Sequence, residues 1–260
     1  MSYDDPRLAA VYDIDNPDGP DHDFFRNLAT HSGATRITDL GCGTGLLTVT
    51  LCGPSREVTG IDPSSAMLEL ARTRDGGDRV RWILGTSEQI AANSPDMVVM
   101  GGNVAMHILG APWHTTLTDI ARGLRSGGML AFESRNPEAR AWEQWQEDPS
   151  WRQKPVDALR ECLVTDPPDE DGVVVIHITN EFDDGSVVNT KQRLQFRSHE
   201  RIVEDLATAG LDVTATYRDW NGESFTGGAD QPLMVFVVTR REGDRMTHLP
   251  VPTGGRRVEK

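Results

Sequence analysis

Two rhythms of apolar and polar residues alternate through the first half of the chain. Short runs rich in apolar and β-branched residues, Arg36 to Leu40 (RITDL), Glu57 to Ile61 (EVTGI), Val80 to Leu84, Asp96 to Met100 and Met129 to Glu133, have the length of buried strands. Between them the apolar positions shift to helical spacing. Phe24, Phe25 and Leu28 mark an opening helix, and Leu46 to Leu51 a second. Ser64 is an N-cap ahead of a face built from Met67, Leu68 and Ala71. Thr115 to Leu124 carries Leu117, Ile120, Ala121 and Leu124 on one side and stops at Ser126-Gly127-Gly128. Strands alternating with helices predict βαβ units, hence a doubly wound α/β fold around a mostly parallel sheet.

The rhythm changes after Glu133. Glu138 to Gln146 reads as a helix, and Pro149, Pro155, Pro167 and Pro168 then interrupt the chain. Val173 to Phe182 and Val187 to Phe196 are long β-rich runs flanking Asp183-Asp184-Gly185, the signal of an antiparallel hairpin. His199 to Ala209 is helical with Gly210 as its stop, and Leu211 to Arg218 and Leu233 to Thr239 supply two closing strands. The expected organisation is a lid helix and cofactor-binding core at 1–134 and a substrate-lid insertion at 135–197. A return to a seven-stranded core sheet at 198–241 and a loose tail at 242–260 complete it.

Composition narrows the function without choosing one. A formal charge of −14 argues against a protein that holds bulk nucleic acid, which needs basic surface for phosphates. Cys42, Cys52 and Cys162 are odd in number and form no CxxC pair, which disfavours a disulfide framework or zinc site and fits a reducing compartment. The N-terminus lacks a basic segment followed by an apolar run, and no stretch has the length of a bilayer span. The expectation is a cytoplasmic protein with no metal, no membrane partner and no nucleic-acid partner; monomer and homodimer both stay open.

Candidate chemistry concentrates where the first strand turns into a helix, at Asp39-Leu40-Gly41-Cys42-Gly43-Thr44-Gly45. Glycines at such a junction let backbone approach a ligand closely. A dinucleotide fold shows a similar turn, but its GxGxxG pattern needs glycine where this chain has Leu46. Asp39 would also repel a pyrophosphate, whereas it suits a cationic amino group. Asp62, at the end of the second strand, is placed to accept hydrogen bonds from ribose hydroxyls; the alternative is that it caps the helix near Ser64.

These segments, in this order, resemble the class I S-adenosylmethionine-dependent methyltransferase family. DLGCGTG is similar to its first motif, IDPS to its acidic second, GTSEQI to its third and DMVVMGGNV to its fourth. LRSGGMLAFES is similar to the fifth-strand segment, with Ser126 where relatives usually have Pro. The resemblance covers Phe24 to Glu133 and resumes weakly from His199 to Thr239. It implies S-adenosylmethionine as cofactor, with Gly41 and Gly43 along its methionine part and Cys42 and Thr44 in the same turn. Asp39 would hold its amino group and Asp62 its ribose, with Pro63 and Met67 beside the adenine. Thr86 and Ser87 stand where relatives often carry an acid that touches the adenine amine. Gly102 and Asn103 would face the methyl donor, and Tyr12 would fold over the cofactor or simply pack its helix.

Methyl transfer from a sulfonium is an in-line displacement that alignment alone advances far, so the chain need not advertise a catalytic group. His107, just past the fourth strand, is the candidate base; the alternative is a histidine satisfied by backbone. His114, after Pro112-Trp113, reads as a surface position at a helix start. Acceptor-binding candidates are Glu133, Arg135, Asn136 and Trp142. Arg135 either pairs with an anionic substrate or bridges to Glu133 or Glu138. Trp142 and Trp145 either pack the insertion or line an apolar pocket, and His177 faces solvent or a cross-strand neighbour. The expected activity is methylation of a small molecule on O, N or C. The alternatives are a peptide acceptor, a non-catalytic cofactor-binding protein and a nicotinamide oxidoreductase.

Overall fold

The computed structural model describes residues 6–145, 152–153 and 159–241, so the expected tail at 242–260 lies outside the described residues. Its core is a seven-stranded sheet. Five strands run parallel: β1 (Arg36–Leu40), β2 (Glu57–Asp62), β3 (Val80–Leu84), β4 (Met97–Met100) and β5 (Met129–Arg135). Four strands precede the last pair: β6 (Arg152–Gln153), β7 (Leu159–Thr165), β8 (Val173–Phe182) and β9 (Val187–Gln195). β10 (Leu211–Tyr217) and β11 (Leu233–Arg240) then close the core in the order β10-β11-β5-β4-β1-β2-β3, with β11 antiparallel to both neighbours. The helices are α1 (Pro6–Asp15), α2 (Pro20–His31), α3 (Leu46–Thr50), α4 (Ser65–Thr73), α5 (Val104–His107), α6 (Ala111–Gly123), α7 (Ala141–Gln144) and α8 (His199–Thr208).

Both faces of the sheet are covered, which explains why its strands read as nearly continuous apolar runs. On one face Leu130 and Phe132 pack against Trp113, Leu117 and Ile120 of α6 and Ile202 and Leu206 of α8. On the other, Ala131 and Ile37 pack against Phe25 and Ala29 of α2 and Leu47 of α3. Alternation along β5 therefore turns Glu133 toward the α2 side, with Ala131. At the opposite end of the strands, Asp96 accepts from the backbone N–H groups of Thr35 and Arg36 and the Thr35 hydroxyl, and pairs with Arg125. These bonds hold its carboxyl well below the usual range against the opposing effect of burial, and tie β1 to the start of β4.

The insertion folds as a second, antiparallel sheet, β6-β7-β8-β9. Its β8–β9 hairpin turns at Asp183-Asp184-Gly185 as the sequence predicts. β7 is an addition: the prolines hid it because Pro167 and Pro168 fall just past its end rather than inside it. The expected helix over Glu138 to Gln146 is shorter. A 3-10 turn at Pro137–Ala139 and the four residues of α7 are separated by Arg140 at φ 48°, and Gln146 lies outside the described residues. Trp142 and Phe196 meet edge to face at 4.8 Å inside a small core with Met106, Val174, Ile176 and Leu194, which docks the insertion on α5.

Candidate cofactor site

The glycine turn and the ends of β2 and β4 meet at the carboxyl edge of the sheet, where open α/β sheets bind ligands. Gly41 and Cys42 donate their N–H groups to Ile61 O, at 2.7 and 3.1 Å, laying the turn across β2. Gly43, at φ 54°, donates to Asp62 Oδ2 at 2.9 Å. Asp62 Oδ1 accepts Ser64 N–H at 2.8 Å, and Ser64 Oγ accepts Met67 N–H at 3.3 Å. Ser64 is thus the cap of α4, and Asp62 is released from that role to shape the turn.

Two glycines have opposite surroundings. A side chain on Gly45 would strike the Trp82 ring at 2.5 Å, so Gly45 is required by close packing. On Gly43 it would meet only Tyr12, at 3.9 Å, and on Gly102 only the Tyr12 hydroxyl, at 3.7 Å. Tyr12 therefore roofs a gap whose floor is the glycine turn on one side and the end of β4 on the other. α1, which carries Tyr12, is fastened there. Thr44 donates its hydroxyl to Asp13 Oδ1 at 2.5 Å, Arg74 pairs with Asp13, and Arg74 Nε donates to Thr44 O at 2.9 Å.

Three buried carboxylates surround this gap. Asp39 is 2% exposed and accepts the Thr48 hydroxyl at 2.6 Å; burial, reinforced by the charge of Asp62, raises its pKa to about 7. Burial also raises that of Asp62, against its two backbone N–H bonds. Glu133 accepts Asn103 N–H, and burial lifts its pKa to about 7. Three carboxylates together disfavour an anion. A roofed cleft with open glycine backbone and carboxylates of raised pKa fits a nucleoside bearing an ammonium and a sulfonium.

The remaining sequence candidates divide. Pro63 is exposed beside the turn, Met67 is buried under it, and Thr86 is exposed just past β3. Ser87 is turned away: its hydroxyl donates to Asp119 Oδ2 of α6 at 2.8 Å. Cys42 points down onto Gly60, where a side chain would meet its Sγ at 3.0 Å, and burial pushes its thiol up. Arg135 makes neither expected ion pair among the described residues and instead donates from Nε to Asn103 Oδ1 at 3.1 Å.

Asn136 and Trp142 do not reach the site. Both amide hydrogens of Asn136 are engaged by Gly228 O and Gln231 O, and its Oδ1 caps the 3-10 turn. Trp142 sits in the insertion core and is 6% exposed. His107 ends α5, reachable by solvent, and its pKa is lowered by the protein packed around it.

His114 is exposed as expected, but its neighbour Trp113 is buried and donates to Asp205 Oδ2 at 3.0 Å. His177 bonds Asp166 at 2.8 Å. Sequence reasoning missed Leu84, which is 56% exposed on β3 directly beside Asp62 in register, an apolar surface next to the ribose candidate. In the sequence its signal is no more than an apolar residue that ends a strand ahead of Gly85.

A separate cavity of about 680 Å³ lies between the starts of α6 and α8 and the base of the insertion sheet, lined by Arg193, Arg197, Arg201, Asp169, Asp171 and Asp205 among others. Arg197 there donates to Ala105 O and Ile108 O and covers the Trp113 ring at 4.5 Å, so it joins α5 to the insertion. Among the described residues no group of three or more His, Cys, Asp or Glu is placed to hold a metal, and no helix is long and apolar enough to cross a membrane.

Residues 37–128 match the family model for a methyltransferase domain. A malonyl-(acyl-carrier protein) O-methyltransferase of Priestia megaterium is 31% identical over 118 residues, 44% of this chain and 42% of that protein. A ubiquinone biosynthesis O-methyltransferase of Maricaulis maris is 31% identical over 111 residues, 41% of this chain and 43% of that protein. The matched segment spans less than half the length of these relatives. The crystal structure of an S-adenosylmethionine-dependent methyltransferase from Clostridium acetobutylicum shares the fold with a TM-score of 0.76 at 17% identity, covering 90% of this chain and 98% of that one. The chain thus carries a segment similar to methyltransferase domains within an architecture that it shares with a solved S-adenosylmethionine-dependent methyltransferase.

Proposed function

We propose that the protein transfers a methyl group from S-adenosylmethionine to a small-molecule acceptor. The observation that carries this is the bond from Gly43 N–H to Asp62 Oδ2 under the roof of Tyr12, which shapes one cleft for a nucleoside and its amino-acid tail. When bound there, the cofactor supplies an activated methyl group on a positively charged sulfur. Asp62 offers its remaining lone pairs to the ribose, while Pro63, Leu84 and the backbone at Thr86 border the adenine. Asp39, through Thr48 or water, favours the amino group, and Gly41 and Gly43 leave room for the methionine chain. Gly102 and Asn103 border the methyl group, and α1 with Tyr12 excludes water.

Holding donor and acceptor in line supplies on the order of 7–11 kcal/mol of barrier reduction in well-oriented systems, so positioning is the chain's main contribution. The insertion sheet closes the acceptor side as a lid anchored on α5. Two of the relatives are named as O-methyltransferases, one of malonyl-(acyl-carrier protein) and one of ubiquinone biosynthesis, and the second supports a low-molecular-weight acceptor here. A screen of amines, phenols, alcohols and carboxylic acids with isotopically labelled methyl donor tests the reading. Label should enter a small molecule, and label entering only a protein or peptide would move the assignment to that acceptor class.

A further inference from the structure

The cofactor cleft explains Asp39 and Asp62 but not Glu133. This residue is 3% exposed on the α2-facing side of β5, next to the end of β4. Its Oε1 accepts Asn103 N–H, and its Oε2 is buried with no hydrogen-bond partner. Two charged groups act on it. Asp21, in the first turn of α2, disfavours its ionisation, and Arg135, two residues along the strand, favours it. Arg135 has turned its Nε to Asn103, so among the described residues no cation pairs with Oε2. An unpaired carboxylate oxygen in such a place is costly, and a ligand that brings an N–H recovers that cost.

We infer that Glu133 receives the acceptor, that the acceptor is an amine, and that Oε2 takes the proton the nitrogen must lose before it is methylated. This rests on the methyl-transfer reading above. Burial decides among acceptor chemistries. It lowers the pKa of an ammonium and raises that of a carboxyl, which narrows the gap that proton transfer from nitrogen to Oε2 must cross. A phenol or alcohol is pushed up along with the carboxyl and gains nothing, and an acidic acceptor is repelled by Glu133 and Asp21.

The proton leaves nitrogen for Glu133 Oε2, freeing the nitrogen lone pair. That pair forms the new N–C bond as the methyl carbon's bond to sulfur breaks, with the electrons of the old bond staying on sulfur. The positive charge thus passes from sulfur to the methylated nitrogen, and Glu133 returns its proton to solvent. The base is then Glu133 rather than His107, which lies at the far end of α5.

Titration calorimetry on protein saturated with S-adenosylhomocysteine tests this, with benzylamine as the cationic probe and benzyl alcohol as its neutral counterpart. Benzylamine should bind the wild type and bind Glu133→Gln about tenfold more weakly or worse, with benzyl alcohol indifferent to the change. Asp21→Asn, at a half-exposed surface position, should weaken benzylamine by about twofold to fivefold and carries the test if Glu133→Gln does not fold. Equal benzylamine affinity in wild type and variants, or none at millimolar concentration in protein that binds S-adenosylhomocysteine, overturns the inference and leaves the cofactor reading standing. Failure of S-adenosylhomocysteine to bind the wild type overturns both.

Discussion

Asp62 Oδ2 accepts the backbone N–H of Gly43 at 2.9 Å, so the carboxylate ending β2 and the turn ending β1 form one unit. Its other oxygen is held by Ser64 N–H, which fixes the plane of the carboxyl before any ligand arrives. Preorganisation of this kind spares the cofactor the cost of ordering the loop.

Asp62→Asn keeps the shape but sets an amide N–H against one of those two backbone donors. A hydrogen bond to a charged group contributes about 1.5–3 kcal/mol, so S-adenosylhomocysteine affinity should fall by roughly one to two orders of magnitude in calorimetry. Unchanged affinity would remove Asp62 from the site.

The two glycines of the turn should respond differently to alanine. Gly45→Ala forces a methyl into Trp82 at 2.5 Å and a left-handed residue at φ 77°, adding overpacking of about 1–3 kcal/mol to a backbone cost of about 1–2 kcal/mol. Gly43→Ala carries the backbone cost alone, since only Tyr12 is near. Urea unfolding should therefore rank Gly45→Ala as the less stable protein. Gly43→Ala should show the larger loss of cofactor affinity for each unit of stability lost.

α1 is held over the cleft by Asp13, which joins Thr44 and Arg74. Because Asp13 and Arg74 are both partly exposed, Asp13→Ala should cost under about 1 kcal/mol of global stability. It should, however, speed amide hydrogen exchange in residues 6–15 and weaken S-adenosylhomocysteine binding. Unaltered exchange there would show that the latch does not hold the helix.

Asp39 has its pKa raised to about 7 by burial, far above the unfolded value, so the native state binds the extra proton between about pH 4 and 7. Stability contributed by this group therefore falls as pH rises through that window. A ligand ammonium favours the ionised carboxylate and drives the proton off. Near pH 7, calorimetry in buffers of different ionisation enthalpy should report proton release on S-adenosylhomocysteine binding, reduced in Asp39→Asn. Proton uptake, or release of equal size in the variant, would contradict this.

The parallel sheet and its motif turn were legible because they are local: apolar runs, a glycine cluster, a Ser64 cap and a hairpin at Asp183-Asp184-Gly185 each declare themselves within a few residues. β7 was not legible because prolines crowd the chain on both sides of it, at Pro155 and Pro167, without falling inside it. Roles that depend on distant partners were not legible. Ser87 is claimed by Asp119, Asn136 by Gly228 and Gln231, and Arg135 by Asn103, and nothing near those residues in sequence announces the partner. The strand-end position of Glu133 is legible in the sequence, but that one of its oxygens is buried and unpaired appears only in three dimensions.

The most direct measurement is a pair of calorimetric titrations on the wild-type chain, one with S-adenosylhomocysteine and one with NAD. Saturable binding of S-adenosylhomocysteine at one site per chain, with no heat from NAD, is the expected result. Binding of NAD with none of S-adenosylhomocysteine would mean that the turn at Gly41 to Gly45 cradles a pyrophosphate, against the account given for Asp39 and Asp62.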